Sequence, residues 1–186
     1  MLEEIVYKGF RIEVDYDPDA ESPRSDDNVW TFVCWHSRYR LSDPDIPKWD
    51  SPQDFRKWWK PRSATGLLQP LYLYDHSGIT ISTGDFGDRW DSGQVGWAYL
   101  TSKDLRKHFK LTPDARVAAL ETLQAEVEDY ATYLEGRVYY YDIYRAGEEK
   151  AWDSCCGIFG DSDEAVSMAK EICDMSLTNA VRLLPS

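Results

Sequence analysis

Alternating apolar and polar residues near the start of the chain predict a β-hairpin over residues 5–16, with its turn at Lys8-Gly9. Residues 29–36 are rich in aromatic and β-branched side chains, which predicts a third strand. Two more hairpins are predicted over residues 71–83 and 137–159, because each range contains two strand-like runs around a turn sequence. Four tyrosines would give the last hairpin an aromatic face: Tyr139, Tyr140, Tyr141 and Tyr144.

Helical patterns separate these hairpins. Residues 51–60 predict a short helix with Ser51 as its N-cap. A longer helix is predicted from the N-cap Thr112 to Gly136, a residue that favours a helix end. Asp161 and Glu164 have the spacing of a capping box at the start of a last helix. Six residues with helical spacing predict the buried face of the long helix: Val117, Leu120, Leu123, Val127, Ala131 and Leu134.

The order of these elements predicts an α+β fold. Strands and helices are segregated along the chain, which favours a mostly antiparallel sheet, built from hairpins and packed by two main helices. No segment has the composition of a linker between two cores. We therefore interpret residues 1–186 as a single α+β domain.

The charge of the chain limits its partners. With 33 acidic and 21 basic side chains, the net charge is −12. This charge repels nucleic-acid phosphates and anionic membranes, so we expect direct binding to neither. Acidic residues cluster from Glu13 to Asp27, and the turn-forming residues 17–28 predict an acidic surface loop, which is either a solvated surface or a surface for a basic partner. The predicted binding residues combine aspartates with tryptophans outside the strands: Asp15, Asp17, Asp19, Asp26, Asp27, Trp58, Trp59 and Trp90.

Two features of the sequence predict a cytoplasmic protein. There is no apolar run of about 18 residues to span a bilayer, and Met1-Leu2-Glu3-Glu4 lacks the basic-then-apolar order of a signal peptide. The four cysteines are irregularly spaced and include no CxxC pair, so we expect reduced thiols and no zinc finger.

Polar side chains that could carry chemistry are densest in the Gly-rich segment 74–94. The candidate catalytic residues are Asp75, His76, Asp88 and Asp91, because loops on a rigid sheet often hold functional groups. The alternative is a turn network, since aspartate and serine readily bond nearby backbone amides. A metal site could instead gather Cys34, His36 and His76. No phosphate-binding glycine motif is present, and we expect no cofactor.

Three segments of the sequence resemble a family of small, functionally uncharacterised proteins encoded by bacteriophages and other mobile elements. They are residues 70–80 with 90–96, residues 30–36, and residues 152–157. The resembling segments are spread over residues 30–157, about two-thirds of the chain, and the resemblance transfers no activity. It implies an accessory protein, not a part of the virion, that acts in the cytoplasm of a bacterial host.

Two functions are compatible with these features. The first is an acidic binding protein that inhibits or redirects a host protein with a basic surface, as an anti-defence protein or DNA mimic would. The alternative is a metal-assisted hydrolase or small-ligand-binding protein with its site in the segment from Asp75 to Gln94.

Overall fold

The structure, a computed structural model, describes residues 1–25, 27–109 and 112–182. In these ranges the chain is an α+β protein with two antiparallel four-stranded sheets. The strands are β1 (Glu3–Tyr7), β2 (Phe10–Tyr16), β3 (Thr31–Cys34), β4 (Leu67–Asp75), β5 (Ile79–Ser82), β6 (Ser92–Leu100), β7 (Val138–Arg145) and β8 (Asp153–Phe159). The helices are α1 (Pro52–Trp59), α2 (Ser102–His108), α3 (Ala115–Leu134) and α4 (Ser162–Arg182).

The chain divides into two compact units. Unit 1 comprises residues 1–21 and 136–186, and unit 2 comprises residues 22–135. The sequence contains no linker between them, and the interpretation of residues 1–186 as one domain stays a prediction. None of the helices in the described part of the chain combines the length and the apolarity that crossing a bilayer requires.

Unit 1 is one sheet with one helix. Its strand order is β1-β2-β7-β8, and all neighbours are antiparallel. Apolar residues at every second position of β2 and β7 pack against α4, as the alternation along these strands predicts. Five residues at the centre of this core are fully buried: Ile12, Ile143, Ala165, Ala169 and Cys173.

Unit 2 is a sheet covered on both sides. Its strand order is β3-β6-β4-β5, so β6 and β4 are central. Leu71 and Ala98 on one face pack with Leu123 and Val127 of α3. On the other face, Phe55 and Trp59 of α1 lie in a second apolar cluster. Val33 and Tyr99 complete that second cluster.

The predicted hairpins and the helix over residues 51–60 are confirmed, whereas the start of the long helix is wrong. Ser51 accepts a bond from the Asp54 N–H, as expected for an N-cap. The long helix begins at Ala115, so Thr112 is not its N-cap, and no side chain caps it. Val117 and Leu120 were predicted to be buried, but they are exposed because Ala119 and Tyr130 occupy the inner face instead.

Candidate functional site

One face of the unit 1 sheet carries a row of acidic side chains. Glu13 lies opposite Glu4 on β1 and opposite Asp142 on β7, so three carboxylates follow one another across three strands. Directly opposite residues lie about 4.5–5.5 Å apart and point to the same face. We call these residues the acidic row. The face that bears it, opposite to α4, is called the open face, since no described element of unit 1 packs on it.

Arg11 is the cation closest to the acidic row. Its guanidinium forms ion pairs with Glu13 and, at 3.7 Å, with Glu4. The same group lies 4.0 Å from the centre of the Tyr144 ring, which is its neighbour on β7. One arginine thus meets two of the three carboxylates, and Asp142 is in no ion pair within the described residues.

Asp15 on β2 and Tyr140 on β7 lie opposite each other, on the side of the acidic row away from Arg11 and Tyr144. The N-terminal ammonium group of Met1 forms an ion pair with Asp15. This bond, together with a hydrogen bond from the Tyr16 N–H at 2.9 Å, lowers the pKa of Asp15 below its ordinary value. Tyr140 is half-buried, and so is Tyr144 on the far side of the row. The acidic row is therefore flanked by two tyrosine rings.

A cleft of about 560 Å³ lies at the end of the open face that carries Tyr140. Asp17 and Asp19 line it together with Asp142, and none of these carboxylates forms an ion pair among residues 1–25, 27–109 and 112–182. Asp17 accepts the backbone N–H groups of Asp19 at 3.0 Å and Gly157 at 2.9 Å, which fix its position. The other lining residues are Pro18, Tyr140, Ser154, Cys155 and Cys156.

Charge is distributed unequally between the units. Residues 1–21 and 136–186 contain 16 acidic and 7 basic side chains, a net charge of −9. Residues 22–135 contain 17 acidic and 14 basic side chains, a net charge of −3. Three quarters of the net charge therefore belongs to the unit that carries the open face.

The other predicted binding residues do not lie on this face. Asp27 is an exposed residue of unit 2, and Asp26 lies outside the described residues. Trp59 is buried at 5% exposure, so it belongs to the core and cannot touch a partner in the folded state. Trp58 is half-buried beside it, whereas Trp90 is 94% exposed on the loop before β6.

The four candidate catalytic residues are brought together, but they bond one another and the backbone. His76 Nδ1 lies 2.9 Å from Asp91 Oδ2. Asp88 accepts the backbone N–H groups of Trp90 at 2.8 Å and Asp91 at 2.9 Å, and these bonds lower its pKa. Asp75 forms an ion pair with Arg38. These contacts form the turn network that was the alternative interpretation, and the catalytic role stays a prediction.

The candidate metal ligands have separate partners. His36 Nδ1 accepts the backbone N–H of Tyr39 at 3.2 Å, and the two rings stack with centroids 4.9 Å apart. Burial raises the pKa of the Cys34 thiol, which disfavours the thiolate that a metal needs. His76 is held by Asp91. Among the described residues, no three His, Cys, Asp or Glu side chains are placed to hold a metal ion.

A cleft of about 1040 Å³ lies in unit 2 beside the buried Arg24. This guanidinium pairs with both oxygens of Asp43 and with Glu126, and it also donates to Asn28 and to the Trp30 carbonyl. All five of its N–H donors are therefore used inside the protein. The network stabilises the fold, and Arg24 itself has no N–H left to donate to a ligand.

Sequence reasoning missed the acidic row because its members are distant in the chain. Glu4, Glu13 and Asp142 become neighbours only through the pairing of β1, β2 and β7. A partial signal was present, since Tyr140, Asp142 and Tyr144 alternate with buried residues. The predicted face of four tyrosines is wrong for this reason: Tyr139 and Tyr141 point to the core, and Tyr140 and Tyr144 point to the open face.

In comparisons with known proteins, no family model, no curated protein and no solved structure matches this chain. The function is therefore inferred from the geometry described above.

Proposed function

We propose that this chain is an acidic binding protein that recognises a basic protein surface through the open face. The observation that carries the proposal is the acidic row: three laterally adjacent carboxylates on a sheet face that no described element of unit 1 covers. In the setting that the phage resemblance implies, the partner is a host protein whose basic surface binds nucleic acid. The chain would inhibit or redirect that protein.

Electrostatics supports a basic partner. Like charges directly opposite each other destabilise a sheet by about 0.2–1 kcal/mol per pair, so the acidic row is unfavourable for folding alone. Glu13 faces a carboxylate on each side, and Arg11 compensates only in part. A cationic surface placed on the row relieves this repulsion, whereas phosphates would increase it.

The flanking tyrosines support a protein interface. Tyr140 and Tyr144 are half-buried at the two sides of the acidic row, so their rings are held by the sheet. Tyrosine contributes a large contact area with little conformational freedom to lose, and it attracts cationic side chains. Arg11 already lies over the Tyr144 ring, and a partner's arginine can bind the Tyr140 ring in the same way.

The test measures binding of a short lysine- and arginine-rich peptide to the full chain. The variant carries Glu4→Gln, Glu13→Gln and Asp142→Asn. We expect binding to weaken about tenfold, since three surface charge pairs worth about 0.5 kcal/mol each combine to roughly 1.5 kcal/mol. Affinity of the unchanged chain should also fall as salt is added.

The control variant changes net charge equally in unit 2, with Asp27→Asn, Asp45→Asn and Asp50→Asn. These aspartates are exposed, and none forms an ion pair among the residues that the structure describes. We expect the control to bind the peptide as the unchanged chain does. Equal weakening in the two variants would mean that net charge alone attracts the peptide, and the proposal would be wrong.

A further inference from the structure

Strand β8 has a free edge. The strand order of unit 1 is β1-β2-β7-β8, and no strand of the described residues pairs with the outer side of β8. A free edge presents unpaired backbone N–H and C=O groups, to which an extended segment of another protein can add as a further strand.

The direction of the backbone groups on β8 follows from its pairing. The Ile143 carbonyl accepts the Trp152 N–H at 2.7 Å, so the backbone groups of Ile143 point toward β8. Asp153 lies opposite Ile143 and therefore points back toward β7. Backbone direction alternates along a strand, so the N–H and C=O of Ser154 point outward. The Ser154 N–H is bonded to the neighbouring Asp153 carboxylate at 3.0 Å, not to a strand.

The two edges of this sheet are formed by β1, whose Glu4 belongs to the acidic row, and by β8. Strand β8 contains neither lysine nor proline, and although it has a β-bulge opposite Tyr140, its residues 153–155 pair regularly with β7. On the open face its side chains are the short Ser154 and Cys156, which are both exposed. These short side chains leave room beside the taller Tyr140 and Asp142.

The cleft of about 560 Å³ on the open face lies along the edge formed by β8. Ser154 and Cys156 line it together with Asp17, Asp19 and Asp142. A strand added to β8 would bring every second side chain to the open face, at intervals of about 6.6 Å. Cationic side chains at those positions would meet carboxylates that have no ion pair within the described residues. The cleft thus favours a segment in which lysine or arginine recurs at every second position.

We propose that the partner of the open face binds by adding an extended basic segment, antiparallel, to the free edge of β8. This inference rests on the proposed function and specifies how the partner is held. In an antiparallel pair, the residue that bonds to Ser154 has its side chain on the same face as Ser154. The cationic residues of the segment are therefore the ones whose backbone N–H groups bond to β8.

The test uses a labelled peptide of alternating lysine and threonine and two derivatives of it. One derivative is N-methylated at the lysines, and the other is N-methylated at the threonines. Charge and length are equal in all three peptides, and only the backbone donors differ. We expect methylation of the lysines to weaken binding to the full chain at least about tenfold, through loss of several backbone hydrogen bonds. Methylation of the threonines should change binding less than about twofold.

A protein variant gives a second measurement. Ser154→Pro removes the outward N–H of Ser154 and places a ring at the edge, so it should weaken binding of the unmethylated peptide about tenfold. A thermal melt that matches the unchanged chain shows that the sheet is intact. Should the variant fail to fold, the three peptides decide with the unchanged chain.

The outcomes separate this inference from the proposed function. Equal binding of the two methylated peptides would overturn strand addition while leaving recognition by charge in place. Selective loss with the threonine-methylated peptide would overturn the antiparallel arrangement, because a parallel strand bonds through those residues. If none of the three alternating peptides binds, strand addition is wrong. Recognition of a basic partner by the open face is then still tested separately, with the lysine- and arginine-rich peptide used to test the proposed function.

Discussion

The two units are built from similar elements, but they differ in whether a helix covers the second face of the sheet. Each has an antiparallel four-stranded sheet packed by one long helix, α4 in unit 1 and α3 in unit 2. In unit 2 the other face is covered by α1 and its tryptophans. In unit 1 the corresponding face carries carboxylates and tyrosines. The difference indicates that the sheet face on which no described element of unit 1 packs is the surface to test for a partner.

Individual carboxylates of the two units also differ in their partners. In unit 2, Asp43, Asp75 and Asp88 each bond a guanidinium or the backbone of their own unit. In unit 1, Asp19 and Asp142 line a cleft without an ion pair in the described ranges. The mostly buried Asp43 needs a partner to be tolerated, whereas Asp19 is exposed and available for contacts with another molecule.

The largest predicted effect is on the buried ion network of unit 2. Arg24→Ala leaves Asp43 and Glu126 without their cation, and both side chains are mostly buried. Breaking a buried pair from one side costs about 3–5 kcal/mol. Urea unfolding followed by tryptophan fluorescence measures this loss, because seven of the eight tryptophans lie in residues 22–135.

Arg11→Ala in unit 1 is the matched control for that substitution. Arg11, at 37% exposure against 3% for Arg24, forms ion pairs with Glu4 and Glu13, which are 49% and 17% exposed. Surface pairs contribute about 0–1 kcal/mol, so we expect only a small change in the free energy of unfolding. If the two arginine variants lost equal stability, the contrast between the internal network of unit 2 and the open face of unit 1 would be wrong.

A second prediction concerns the close packing of unit 2. A Cβ added to Gly96 would lie 2.0 Å from the Val33 carbonyl oxygen and 2.7 Å from the Cys34 Cα, which are backbone atoms that cannot move independently. Gly96→Ala should therefore destabilise the protein by about 1–3 kcal/mol, as overpacking does elsewhere. A thermal melt measures the change.

Gly93 on the same strand provides the comparison. A Cβ there would meet no atom within 4 Å, so Gly93→Ala should leave stability unchanged or raise it slightly. A loss of equal size at both glycines would show that the strand requires glycine for backbone freedom and not for close packing.

Local patterns in the sequence predicted most elements but not how they combine. The turn at Lys8-Gly9 and the N-cap Ser51 act over a few residues, and both predictions are confirmed. Helix α2 was missed, although Thr101 caps it by accepting the Asp104 N–H, because no long apolar period marks so short a helix. The division into two sheets depends on which strands pair, and no local pattern encodes it.

The same limit applies to the candidate site. Asp15, Asp17 and Asp19 were predicted from their density in the sequence, and Asp17 and Asp19 line the cleft of unit 1. Their neighbour Asp142 lies more than a hundred residues later, and only strand pairing brings it to this face. Asp27 has similar local surroundings in the sequence but belongs to unit 2. The composition therefore predicted that the surface is acidic, but not which aspartates lie on it.

A third prediction tests whether the acidic row costs stability. Asp142→Asn removes one like charge opposite Glu13, and the amide oxygen can still accept the Tyr144 hydroxyl bond. We expect the variant to gain about 0.2–1 kcal/mol in the free energy of unfolding while binding a basic peptide less tightly. Asp45→Asn in unit 2 should change neither quantity. A less stable Asp142→Asn variant would mean that Asp142 supports the fold.

The smallest predicted effect is local and concerns the loop that presents Trp90. Asp88 accepts the N–H groups of Trp90 and Asp91, so Asp88→Ala should speed hydrogen exchange at these two amides without lowering the overall melting temperature. Asp85→Ala is the control, because Asp85 accepts only the Gly87 N–H nearby. Unchanged exchange at Trp90 in the Asp88 variant would show that other contacts hold the loop.

The response of this loop to pH follows from the same bonds. They lower the pKa of Asp88, so their contribution is fully present above the ordinary aspartate value of about 3.9 and is lost only as the pH falls through the lowered value. Protection of the Trp90 amide should therefore persist near pH 4 and decrease in stronger acid. Loss of protection at a higher pH would contradict the assignment of Asp88 as the acceptor. Such a result would also weaken the contrast between Asp88, which holds a loop of unit 2, and Asp142, which has no ion pair in the described part of unit 1.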